Sequence, residues 1–196
     1  MHRPALLIAC LAAIPAFAAA DETRQLDAHV HGTGTLNMAI EGRAVQIEFH
    51  APGADLVGFE YAPESDADVA AVEAAKATLS APLALFALPA AAGCSVVSAA
   101  VELEVEGEDD HGDDHAHGHD HDHGHDHAEE ATHSEFHAEY ALTCTDISAA
   151  TTLMTEGYFA TFPNAEEIEV QIVGPAGAQG FEATAEAPDL AIGGLL

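Results

Sequence analysis

The stretch Leu36-Asn37-Met38-Ala39-Ile40-Glu41-Gly42-Arg43-Ala44-Val45-Gln46-Ile47-Glu48-Phe49 decides how this chain folds. Apolar side chains fall at every second position on both sides of Glu41-Gly42-Arg43: Leu36, Met38 and Ile40 before it, Val45, Ile47 and Phe49 after it. A period of two marks a strand with one buried face, and two such runs around a glycine-containing turn make a β-hairpin. Setting Ile40 opposite Val45 puts Met38 against Ile47 and Leu36 against Phe49, so one register buries all of them together. The other face then carries His29, His31, Glu48 and His50.

Further along, Ser65 followed by Asp68 has the form of a capping box, and Val69, Val72, Leu79 and Leu83 follow helical spacing until Pro82. Residues 94–106 alternate again, with Val97, Ala99, Val101, Leu103 and Val105 on one side. Phe136, Ala138, Tyr140, Leu142 and Cys144 alternate with His133, Glu135, His137 and Glu139, which makes a strand whose polar face consists of potential ligands. A second helix is expected over 146–156, ended by Gly157, with short strands near 167–173 and 180–185. The expected fold is α+β: a mostly antiparallel sheet of about six strands, two helices and a long disordered His-rich loop.

The chain has 196 residues, 4 Lys+Arg against 34 Asp+Glu, and a formal net charge of -30. Such a surface cannot neutralise phosphates or anionic lipid headgroups, so no nucleic-acid partner and no stable membrane insertion are expected; cations are. Residues 1–20 combine Arg3, an apolar run over 5–14 and small residues at Ala16, Ala18 and Ala20, as in a cleaved secretory signal. The remainder, 21–196, reads as a single domain. It retains Cys94 and Cys144, which in an oxidising compartment pair as a disulfide more often than they bind metal. Closing a loop of about 50 residues contributes roughly 3 to 4.7 kcal/mol. Direct pairing of these cysteines in unbroken register would put Val101 on the face of His137, so either a bulge intervenes or they bridge different layers.

His115, His117, His119, His121, His123, His125 and His127 recur at every second position, with His111 shortly before them and Asp120, Asp122 and Asp126 among them. Imidazole suits Zn, Cu, Ni and Fe, and neighbouring carboxylates attract the cation. Residues 107–132 contain no aliphatic side chain larger than Ala and no aromatic, so they cannot offset the entropy of ordering and are expected to be disordered without metal. Labile collection of one or several transition-metal ions follows from such a tract more readily than catalysis. Binding needs neutral imidazole, so uptake should weaken below about pH 6.

On the strands, His29 and His31 share one face about 6.6 Å apart, and His133 and His137 form a similar group. The expected ordered site gathers His29, His31 and His137. Glu135, Glu139 and His50 are weaker candidates, His50 because it faces Thr35, about 13 Å along the strand from His31. The chain has no phosphate-binding glycine loop, dinucleotide fingerprint or Gly-x-Ser-x-Gly turn, and no enzymatic role is expected.

Several ordered motifs resemble the ZrgA-type periplasmic zinc-uptake proteins. They are His29-Val30-His31-Gly32, Leu56-Val57-Gly58-Phe59-Glu60-Tyr61-Ala62-Pro63, Leu88-Pro89-Ala90-Ala91 before Cys94, and the histidine-rich insertion. Phe136-His137-Ala138-Glu139-Tyr140 before Cys144, Phe159-Ala160-Thr161-Phe162-Pro163 and Val170-Gln171-Ile172 follow. The chain departs from that family at Val30, commonly acidic there, and at Tyr61, commonly His. The resemblance implies an exported, periplasmic protein that binds zinc and supports a zinc ABC importer, acting on the importer or its solute-binding protein. Metal storage or detoxification of Cu, Ni or Zn without handover is the alternative. If the tract collects ions, calorimetric titration of the mature protein will show more zinc bound than a variant lacking residues 107–132; equal stoichiometry and affinity would overturn that role.

Overall fold

The structure, a computed structural model, describes residues 30–105 and 133–196; the expected signal segment, His29 and the 107–132 tract lie outside the described residues. In chain order the elements are β1 (Thr33–Glu41), β2 (Ala44–Pro52), α1 (Gly53–Val57), α2 (Asp66–Leu79), α3 (Pro82–Leu85), β3 (Cys94–Val105) and β4 (Ser134–Cys144). They continue with β5 (Thr152–Met154), α4 (Glu156–Thr161), β6 (Glu167–Gly174), β7 (Gly177–Thr184) and β8 (Asp189–Ala191).

The hairpin forms in the expected register, with Ile40 opposite Val45, Met38 opposite Ile47 and Leu36 opposite Phe49. It lies at the centre of a six-stranded sheet of order β3-β4-β2-β1-β6-β7. All neighbours are antiparallel except β1 and β6, which run parallel. One face is packed by the helices around Leu36, Ile47, Phe136, Tyr140, Ile168 and Ile172, all buried. Phe49 anchors that core, its ring 4.9 Å from Phe86 and 5.3 Å from Tyr158, in tilted and edge-on contacts that aromatic quadrupoles favour. The opposite face of the central strands is polar.

The capping box is present at the start of α2: the Asp68 amide donates to Ser65 Oγ and the Ser65 amide donates to Asp68 Oδ2. Pro82 does more than stop α2, since it also opens α3, where a missing amide proton costs nothing. The helix expected over 146–156 does not form, and four α-helices replace the expected two among the described residues. The Asp146 carboxylate accepts from the Ser148 amide and hydroxyl, which diverts the backbone into a single 3-10 turn, Ile147–Ala149. Thr152, Leu153 and Met154 then pair with β8, making a separate two-stranded sheet beyond the expected six strands. Gly157 lies inside α4 rather than ending a helix; any Cβ there would collide with the Ala84 carbonyl of α3, so the close approach of the two helices requires glycine.

A bulge between Val96 and Ser98 resolves the register of the cysteines. Cys94 pairs with Cys144 before it; after it, Val101 faces Ala138 and Leu103 faces Phe136, both on the core side. Val97, expected on the apolar face, is the extra residue and stands 67% exposed. The disulfide is formed, with S–S 2.07 Å. Among the described residues no helix is long and apolar enough to cross a membrane. Replacing Cys94 and Cys144 together by Ala should lower the urea midpoint by an amount equivalent to about 3 to 4 kcal/mol; an unchanged midpoint would show that the crosslink is not needed for stability.

Candidate metal centre

The polar face of the sheet takes its chemistry from the pairing of β2 with β4. Antiparallel partners share a face, so the register that sets Phe49 against Ala138 in the core also sets Glu48 opposite Glu139 and His50 opposite His137. The two imidazoles stack, centroids 4.4 Å apart and planes 21° from parallel. Each turns Nε2 toward one oxygen, Glu48 Oε1, at 3.4 Å from His50 and 3.5 Å from His137. Ligand atoms of Glu48, His50 and His137 all lie within 4.8 Å of one another. Two ligands bound to a tetrahedral zinc at about 2.0–2.2 Å stand roughly 3.3 to 3.6 Å apart, which the two Nε2–Oε1 spacings match; the stacked rings splay to aim both nitrogens at one ion.

The other nitrogens of the same rings are also directed at carboxylates. His50 Nδ1 lies 3.6 Å from Glu135 Oε2, and His137 Nδ1 lies 3.8 Å from Glu104 Oε1 on β3. A carboxylate behind a ligating imidazole orients the ring and strengthens it as a donor, the usual outer arrangement of a zinc-binding histidine. Glu139 Oε1, 3.9 Å from His137 Nε2, stands beside the open side of the group. Pairing with Glu135 raises the His50 pKa above its ordinary value, burial opposes this, and Glu48 adds to the rise. A proton therefore competes with a cation at His50 up to a higher pH than at a free imidazole.

His137 is only 6% exposed, held between β2 and β3, and is reached through a pocket of about 110 Å³ lined by Ala100, Glu102, His137 and Glu139. Three protein ligands with one side open suit an ion that must be exchanged; a closed tetrahedral shell suits one that must stay.

The sequence grouping of His31 with His137 is not what the fold assembles. His137 meets His50, the candidate ranked lower by its position on the hairpin, because β4 pairs with β2 and sets the two in register. His31 and His133 instead meet at Glu60, whose Oε2 lies 3.3 Å from His31 Nε2 and 3.0 Å from His133 Nδ1. Glu135 stands behind His50 and Glu139 at the rim, as described. Glu48, Glu60 and Glu104 are absent from the sequence-based candidates. Glu48 could have been found from its place on the histidine face, and Glu60 from its place in the Leu56 to Pro63 motif; Glu104 carries no local sign. His29 and the tract histidines from His111 to His127 lie outside the described residues.

In the metal-free protein the His50 ring protons should titrate at a pH above the ordinary imidazole value of about 6.5, and Glu135→Gln should bring the midpoint down. Proton NMR of the ring resonances reads this directly, and a midpoint unmoved by the substitution would rule out Glu135 as the cause.

No curated protein sequence matches the chain. A family comparison does: residues 28–192 match the ZrgA family zinc uptake protein, spanning both halves of the sheet and every residue of the Glu48, His50 and His137 group. A zinc uptake family comprises binding and transport proteins, not enzymes, which removes the hydrolase reading that three zinc ligands with an open side would otherwise invite. On that match the chain belongs to the ZrgA family of zinc uptake proteins.

Proposed function

We propose that this protein is exported to the periplasm, captures Zn(II) there and supports high-affinity import through a zinc ABC transporter. The observation that carries the reading is the convergence of His50 Nε2 and His137 Nε2 on Glu48 Oε1, each ring backed by a further carboxylate. The family match supports zinc as the cargo. Two imidazoles and one carboxylate are also the donor set that zinc accepts with an exchangeable fourth position.

In this reading the seven alternating histidines of the 107–132 tract raise the local zinc concentration, and the ordered group selects and holds one ion. The ten carboxylates between Glu108 and Glu130 add to the attraction. Release to the importer or its solute-binding protein uses the open side of the group, where an incoming ligand replaces water without first displacing a protein side chain.

Calorimetric zinc titration of the mature protein beside Glu48→Gln and His50→Ala tests the site. Each substitution should weaken the tightest zinc event by about ten- to a hundredfold, and unchanged affinity in both would overturn the assignment. Growth of a deletion strain tests the role: sensitivity to a zinc chelator is expected. Sensitivity to excess metal in its place would overturn uptake in favour of storage or detoxification.

A further inference from the structure

We propose that His31, Glu60 and His133 form a second zinc site, separate from the Glu48, His50 and His137 group and loaded independently of it. The two imidazoles approach the same carboxylate oxygen, Glu60 Oε2, at 3.3 Å through His31 Nε2 and at 3.0 Å through His133 Nδ1. Each of these two spacings is close to one edge of a zinc tetrahedron, roughly 3.3 to 3.6 Å; the two nitrogens lie on different sides of the oxygen, and the exposed His31 ring must turn toward His133 to close the third edge.

Three parts of the fold bring these residues together, and each is tied to the others. Gly32, next to His31, has φ +84°, a conformation that favours glycine, and its amide donates to Asp55 Oδ1 of α1 at 2.9 Å. Asp55 is 3% exposed, so this bond fixes the start of β1 against α1. At Gly53, a Cβ would collide with Ser134 Oγ and come within 2.7 Å of the Phe59 carbonyl; the missing side chain lets α1 and the following turn lie on the start of β4. The stacked rings of Phe59 and Tyr61, 4.7 Å apart, bracket Glu60 on both sides in the chain.

Glu60 is 12% exposed, whereas His31 and His133 are 64% and 40% exposed. A nearly buried carboxylate held between two accessible imidazoles is an open half-shell facing solvent, which closes when the exposed rings swing toward one ion. His133 precedes His137 by four residues, which sets these two histidines about 13 Å apart along the chain. The second site lies where β4 begins, and the first lies deeper in the sheet.

The test is a Zn(II) titration of the intact mature protein followed through the imidazole nitrogen shifts of its histidines. Coordination should move His31 Nε2 and His133 Nδ1 together, through opposite ring nitrogens, while His50 and His137 respond at Nε2. Glu60→Gln should weaken the paired His31 and His133 response at least about tenfold and leave the His50 and His137 response unchanged. His31→Asn, a change at an exposed side chain, should do the same to His133, and backbone amide shifts verify that both variants fold. If His31 and His133 keep free-imidazole shifts while His50 and His137 saturate, the second site is wrong and the first stands. If Glu60→Gln folds and leaves the paired response intact, Glu60 is not a ligand and the proposal falls. If none of the four histidines responds, both assignments fall together.

Discussion

The antiparallel pairing of β2 with β4 is the constraint on which the rest of this molecule depends. One register has to satisfy two faces. On the core side it sets Phe49 against Ala138 and Ile47 against Tyr140, next to Phe86 and Tyr158; on the other it sets His50 against His137 and Glu48 against Glu139. Because the side-chain period of a strand is two, a slip by one residue would expose the aromatics and bury the carboxylates at once. Metal chemistry therefore inherits its precision from hydrophobic burial, and the histidines need no separate mechanism to hold their alignment.

The edge of the sheet shows how a second demand is met without disturbing the first. A disulfide between neighbouring strands and an apolar stripe on the same strand conflict if the register is unbroken. One extra residue, Val97, restores the parity, so that Cys94 and Leu103 both sit on the core side and Glu104 turns toward His137. The bulge thus serves both the covalent link and the electrostatics of the site, and its cost is one exposed valine.

Charge is concentrated where it acts. Glu48, Glu104, Glu135 and Glu139 surround two imidazoles, and Glu60 lies between two others, so a cation arriving at the open face meets an excess of negative charge at each step. Such crowding of carboxylates is unfavourable by itself, and a divalent ion relieves it. A chain with a net charge of -30 places part of its acidity for this use.

Local pattern determined the hairpin and its register, the capped α2, the two-faced character of β4 and the pairing of Cys94 with Cys144, because each depends on neighbours a few residues apart or on parity along one strand. The stretch 146–156 misled because Asp146 bonds its own backbone and β8 recruits the residues after it, a choice made by contacts remote in sequence. The histidines of the two groups were legible as candidates, but Glu48 and Glu60 were not, and neither was the grouping. His31 lies just before β1 and His50 on β2, yet their partners come from the start of β4 and from β4 itself, at His133 and His137, and the carboxylates that join them come from β2 and from the segment after α1. A sequence records which face a residue occupies; only the order of strands in the finished sheet decides which faces adjoin, and a metal ion is bound by adjacency.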